Sequence, residues 1–292
     1  MTRGHCRDDS FGCMERSLRL SIRPATAVDY DHFVRLFAEL RVDDPVPTES
    51  HWRASQQAKS LIVEHENHPI GYGVAEALKD VGYVRQIVVD PAYRRKGVGR
   101  RLMDALAARL RLAGCTTWRL NVKIDNIAAQ RLYEMLGLKV AYRSTVLRMA
   151  WSAVERLPVT DQVFEVHTIQ PADDAVLEAM FDVTLGQLAD HRAREGQVLL
   201  RIGARNAPVD RALGLASFAP CFPGASPLRV ADTAAARALL QAIRQHSRAG
   251  DAEVNLVIEN DDATVALLRG AGAIVRFEMY HYRGELPLIE QA

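Results

Sequence analysis

The sequence predicts an α/β fold with a mixed sheet, built twice in tandem. Three observations carry this reading. Short runs rich in β-branched residues alternate with amphipathic helical runs. A basic, glycine-containing loop joins one such strand to one such helix at 82–112. A gap-free shift of 135 residues lays much of the second half on the first.

At 292 residues, with 48% hydrophobic and 25% charged positions, the chain can bury a sizeable core and suits two domains. Lys+Arg 37 against Asp+Glu 36 leaves no global basic excess, so no nucleic-acid partner is expected. No apolar run approaches the roughly 20 residues that span a bilayer, and no membrane association is expected. Residues 1–16 are polar, lack the apolar core of a secretory signal, and read as a flexible tail. Met14 offers an alternative start, which would make the residues before it an upstream extension. His5, Cys6 and Cys13 form an incomplete ligand set, and no metal is expected. Cys6, Cys13, Cys115 and Cys221 are widely spaced and read as reduced thiols of a cytoplasmic protein.

The elements follow in order. Residues 18–23 alternate as a first strand that Pro24 ends, and 29–40 carry Phe33, Leu36, Phe37 and Leu40 on one helical face. Asp43, Asp44, Pro45 and Pro47 interrupt regular helix before a second short helix near 49–58. Strands at 61–66 and 70–77 meet in a tight turn near Asn67 and His68. The strand at 82–89 ends at Pro91. Beyond the loop, Val98, Leu102, Ala105, Leu106 and Leu110 mark a long amphipathic helix. A strand at 117–122, a helix at 127–136 stopped by Gly137, and two strands near 139–142 and 145–150 complete the unit.

The loop Arg94, Arg95, Lys96, Gly97, Val98, Gly99, Arg100 lies where that helix begins. The first N–H groups of a helix lack intrahelical partners, and its dipole adds about half a positive charge there. Glycine admits an anion close to the backbone, so the loop suits a phosphate or pyrophosphate. The alternative is a solvated basic face at an ordinary helix start. The spacing is neither the G-x-x-x-x-G-K-[ST] nor the G-x-G-x-x-G pattern; it is Q/R-x-x-G-x-G/A, with Arg94, Gly97 and Gly99 in the fixed positions.

In this pattern the chain resembles the GNAT superfamily of acyl-CoA-dependent N-acyltransferases, over about 18–151. The element order agrees, and Asn126, Ala129, Leu132, Tyr133, Gly137 and Leu138 match a second family pattern, N-x-x-A-x-x-x-Y-x-x-x-G-F, with Leu138 for the usual Phe. The resemblance implies that the loop clasps the pyrophosphate of acetyl-CoA. It also implies that Ile87, Val88 and Val89 carry the pantetheine arm, the Val89 N–H facing the thioester. Asn126 would bond the pantetheine or nearby backbone, or serve simply as a helix N-cap. Ala129 would lie along the same arm. Tyr133 would be the general acid for the leaving thiolate, or else a packing residue.

The general base is less evident. Some family members place a glutamate on the strand before the loop, where this chain has Tyr83, Arg85 and Gln86. Asp43, Asp44, Glu49 or Glu76 could act through water, and Asp43, Asp44, Glu49 and Tyr83 could line the acceptor pocket. Such acids are otherwise a solvated loop.

The 135-residue shift places Asn126, Ala128, Leu132 and Gly137 on Asp261, Ala263, Leu267 and Gly272, and Tyr133 on Leu268. It places Arg94, Gly97 and Gly99 on Arg229, Asp232 and Ala234, with a helix at 233–245 following. A carboxylate there repels the pyrophosphate, so the second half keeps the fold and has lost this mode of coenzyme binding. The expected organisation is a tail at 1–16, a catalytic domain at 17–152, a linker around 156–161 and a degenerate domain at 162–287. The second domain would cover the acceptor site or form a homodimer. The expected activity is acetyl transfer from acetyl-CoA to a primary amine of a small molecule or protein. The alternative is a non-catalytic acyl-CoA sensor or partner-binding module.

Overall fold

A computed structural model of the chain describes residues 18–40, 42, 45–221 and 223–287. The tail at 1–16 with His5, Cys6, Cys13 and Met14, and the pair Asp43 and Asp44, lie outside the described residues. The chain divides into two compact units, one running through Gly73 and including Ile87–Leu102, the other comprising Val74–Gln86 and the chain from Met103 onward.

The first unit opens with β1 (Leu20–Pro24), which pairs antiparallel with β2 (Ser60–His65). Between them lie α1 (Tyr30–Phe37) and α2 (Glu49–Ser55). The helix expected to reach residue 40 ends at Phe37 and tightens into a 3₁₀ turn, Ala38–Leu40. Phe33, Leu36 and Phe37 recur at helical spacing and are buried. The Phe33 ring meets Trp52 at 5.5 Å and Tyr72 at 5.1 Å. Arg23 holds Asp29 and Glu64 together, tying the start of the helical segment to the sheet. β3 (His68–Leu78) and β4 (Val81–Val89) each run through both units. Glu66 and Asn67 both have positive φ, the geometry of a two-residue hairpin turn before β3.

The second unit contains the rest of α3 (Val98–Leu112), β5 (Thr117–Lys123), α4 (Ile127–Met135) and β6 (Lys139–Ala150). Then come β7 (Phe164–Thr168), α5 (Asp174–Met180), α6 (Gln187–Arg192), β8 (Val198–Ala204), β9 (Gly214–Ala219) and β10 (Gly224–Val230). It closes with α7 (Ala234–Arg244), β11 (Glu253–Glu259), α8 (Asp262–Gly270) and β12 (Ile274–Glu285). The element order of the first half therefore returns in the second. α8 and β12 repeat α4 and β6 at the 135-residue shift, end for end.

Two sequence expectations are corrected. The strands at 139–142 and 145–150 are one continuous strand, β6. Its neighbour is not a second strand of the same repeat but β12, which pairs antiparallel with both β5 and β6. β6 in turn pairs with β11, so the order across this region is β4-β5-β12-β6-β11-β10. Each repeat thus lends its last strand to the other. The linker also starts later than expected. Trp151, Val154 and Leu157 lie in the core beside Leu147, Phe218 and Leu239, each such side chain contributing roughly 1.5–3 kcal/mol by burial.

Candidate active site

The glycine loop forms from local rules in the first unit. Pro91 ends β4, and Asp90 accepts the Ala92 N–H at 3.0 Å to start a single 3₁₀ turn. Arg94 Nε donates to the Val89 carbonyl at 2.9 Å, and its Nη2 reaches Glu39 at 2.7 Å. Arg94 therefore braces the loop against the strand end. Arg95 (φ 60°) and Gly97 (φ 77°) turn the backbone left-handed on either side of Lys96. A Cβ on Gly97 would meet nothing within 4 Å, so glycine is required there by its φ while the space above it stays open. The Gly97 carbonyl accepts from Arg101 N–H at 3.1 Å, which starts α3. The N–H groups of Val98 and Gly99 precede that first bond at the helix start. Arg95, Lys96 and Arg100 are exposed beside them, and Lys96 lies 5.4 Å over the Tyr93 ring. Open backbone, helix dipole and cations converge on one spot, which fits a pyrophosphate. Val88 is buried at the end of β4, flanked by the half-buried Ile87 and Val89.

The second signature lies in the second unit. Asn126 Oδ1 accepts the Ala129 N–H at 3.2 Å, so Asn126 is the N-cap of α4. Tyr133 is 7% exposed and meets Tyr282 edge-on at 5.8 Å. Burial, helped by Tyr282, pushes its hydroxyl up to about 12, so it holds its proton at neutral pH. In the second repeat Asp261 caps α8 through the Thr264 N–H, and Leu268 is fully buried in the place of Tyr133.

The shift that aligned the loops does not survive there. Arg229 lies on β10 and pairs with Glu259, and 231–233 alone join β10 to α7, against 90–97 in the first repeat. Asp232 accepts the Ala234 N–H at 2.9 Å, so a carboxylate of the chain itself already occupies that helix start.

β4 and β5 pair in parallel from Val81↔Thr117 to Val84↔Leu120, where their pairing ends. Tyr83, Arg119 and Arg283 lie in one register row, and Asn121, His281 and Tyr142 in the next. Register partners share a face, and neighbours along a strand alternate. His281 and Arg283 therefore face away from Tyr282, the residue that meets Tyr133. A cavity of about 420 Å³ is lined by Tyr83, Arg119, Tyr142, Arg229, Glu259, His281 and Arg283 among others. A smaller one of about 230 Å³ shares several of these walls and adds Arg85, Asn121 and His191.

The cavity walls are held by second-repeat residues. Glu259 pairs with Arg229. His281 stacks on Tyr142 at 4.3 Å and shares a 2.8 Å hydrogen bond with Ser144. Burial lowers the His281 pKa, so its imidazole is neutral at pH 7. Burial first, then the Glu259 charge, holds the Tyr142 hydroxyl well above its usual range. The sequence reading placed no site in the second half; Glu259 and His281 stand singly on strands and make no local motif.

The remaining predicted residues are engaged elsewhere. Glu49 pairs with Arg53 along α2 in an exposed i,i+4 bridge. Glu76 is committed to Arg85, whose guanidinium lies 4.1 Å over the Tyr83 ring.

The model of the acetyltransferase (GNAT) family matches residues 30–138. That segment belongs to the GNAT family. The match takes in the glycine loop, Asn126 and Tyr133. The ribosomal protein bS18-alanine N-acetyltransferase of Haemophilus ducreyi is 31% identical over 85 residues, 28% of this chain and 59% of that protein. The mycothiol acetyltransferase of Clavibacter sepedonicus is 32% identical over 124 residues, 40% of each chain. The chain thus spans less than two thirds of the length of these relatives. A tandem GNAT protein from the clavulanic acid biosynthesis pathway superposes with a TM-score of 0.58 at 16% identity, covering 92% of this chain and 99% of that one. That likeness shows a shared tandem GNAT fold.

Proposed function

We propose that this chain is an N-acetyltransferase that moves the acetyl group of acetyl-CoA to a primary amine, with residues 17–152 as its catalytic repeat. In this reading Arg95, Lys96, Gly97, Val98, Gly99 and Arg100 hold the pyrophosphate, with Arg94 bracing them. Ile87, Val88 and Val89 receive the pantetheine arm, helped by Asn126 and Ala129. The thioester supplies the activated acyl group. Tyr133 gives its proton to the leaving thiolate; its raised pKa keeps that proton on the hydroxyl at neutral pH. Residues 162–287 keep the fold without this coenzyme site, as the short loop and Asp232 argue.

The observation that carries the reading is the left-handed, open glycine at the start of α3 together with the buried, protonated tyrosine of the second motif. The relatives' names supply both kinds of acceptor, an alanine of ribosomal protein bS18 and mycothiol. A cavity of about 420 Å³ in the second unit favours a small acceptor.

Thiol release from acetyl-CoA, followed with a panel of primary amines, tests this. Amine-dependent release in the parent chain is expected. In Tyr133→Phe it should fall by about two to four orders of magnitude, the usual contribution of a positioned acid, while coenzyme affinity holds. Full turnover in Tyr133→Phe would remove the acid assignment. Coenzyme binding without release on any amine would favour an acyl-CoA sensor.

A further inference from the structure

Arg119 and Arg283 are directly opposite one another on the antiparallel pair β5 and β12, and both line the larger cavity. Directly opposed residues have Cβ atoms about 4.5–5.5 Å apart, and like charges so placed are destabilising. Neither arginine forms an ion pair among the described residues. Arg119 spends Nη1 on the Thr184 hydroxyl at 2.7 Å, and its Nε is buried with no acceptor. A buried N–H left without an acceptor calls for a missing partner. The carboxylates on the cavity wall do not fill that place. Glu259 is committed to Arg229 and Asp261 to the start of α8, while Asp182 is exposed at the rim.

We infer that the cavity binds an oxyanion, a carboxylate or phosphate carried by the acceptor amine, between Arg119 and Arg283. An oxyanion there turns the cross-strand repulsion into two charge-assisted contacts and gives the guanidinium edge of Arg119 its missing acceptor. The row that holds the pair begins at Tyr83, one residue before the Val84↔Leu120 pair where the β4–β5 register ends. An amine a few bonds from the anion can extend along this face toward that point. This identification of the acceptor class rests on the proposed acetyl transfer; binding of the anion itself does not.

The test uses the full chain and matched amines: β-alanine against β-alaninamide, and O-phosphoethanolamine against ethanolamine. The parent chain should prefer at least one anionic member by about tenfold or more in kcat/KM, the size expected of a hydrogen-bonded charge contact. In Arg119→Gln that preference should collapse toward unity. Arg283→Gln, at an exposed position, should do the same if Arg119→Gln folds poorly. Which pair shows the preference separates carboxylate from phosphate.

A second readout is independent of acetylation: the shift in unfolding temperature on adding inorganic phosphate at constant ionic strength. The shift should be larger in the parent chain than in either variant. Acetylation of neutral and anionic amines at equal efficiency would overturn the inference and leave the acetyltransferase reading intact. Absence of acetylation with a phosphate shift that depends on Arg119 and Arg283 would uphold the anion site and overturn the activity. Absence of acetylation with no such dependence would overturn the anion site as well.

Discussion

Gly97→Ala separates the backbone of the loop from its ligand. The substitution sets a methyl group on a residue with φ 77°, where nothing lies within 4 Å. No atom of the protein has to move, so the cost to folding is the left-handed backbone alone, about 1–2 kcal/mol. Gly114 (φ 88°) and Gly137 (φ 82°) are also left-handed with nothing within 4 Å, and they lie outside the proposed coenzyme site. Alanine at each carries the same strain without facing a ligand. All three variants should lose a few degrees of unfolding temperature, roughly 2–4 °C per kcal/mol for a chain of this size. Acetyl-CoA affinity, measured by isothermal titration, should fall about tenfold or more only in Gly97→Ala, because its methyl enters the space left for the pyrophosphate. If Gly97→Ala binds acetyl-CoA as tightly as the Gly114 and Gly137 controls, the open space above Gly97 is not the anion cradle.

Two further outcomes follow from other parts of the molecule. The Arg23 guanidinium, outweighing the cost of burial, holds the Asp29 carboxyl at about 2, below its ordinary 3.8. Its ionised form therefore stabilises the fold by about 2 kcal/mol above pH 4, and that contribution is lost as the pH falls toward 2. Asp29→Asn should lower stability at pH 7 and flatten the acid limb between pH 4 and 2 in a denaturant series; an unaltered acid limb would reassign it to other carboxylates. Because β12 is the shared neighbour of β5 and β6, a chain ending at residue 273 should lose cooperative unfolding by circular dichroism, including for residues of the first repeat. A sharp, parent-like transition in that truncation would show that the strand exchange contributes little.

The elements that were legible in the sequence are those written by local rules. Asn126 before an apolar helical run is a cap wherever the chain goes, and Gly97 announces a backbone that other residues avoid. The repeat was legible at α4 and α8, where matched caps and matched helix lengths leave no room for a gap. It misled at the loops, because a three-residue connection cannot be seen in an alignment that forbids gaps. β6 read as two strands, near 139–142 and 145–150, with the polar Arg143 and Ser144 between them. In the structure Ser144 and Thr145 are buried, and Ser144 meets His281 from the other repeat. The partner that satisfies the Ser144 hydroxyl is set by tertiary pairing, which no local pattern records. The same holds for Arg119, Glu259 and His281, each an isolated polar residue on a strand until the exchange of β6 and β12 sets them around one cavity.

Thermal unfolding of the full chain with and without acetyl-CoA tests the central claim most directly, since it asks whether the first repeat holds the coenzyme at all. At a hundred times its dissociation constant the ligand should add about 2.7 kcal/mol of stability, raising the unfolding temperature by several degrees. That rise should be absent in Gly99→Asp, which sets a carboxylate in the helix start as Asp232 does in the second repeat. No rise in the parent chain, or an equal rise in Gly99→Asp, would contradict the assignment of the loop as the coenzyme site.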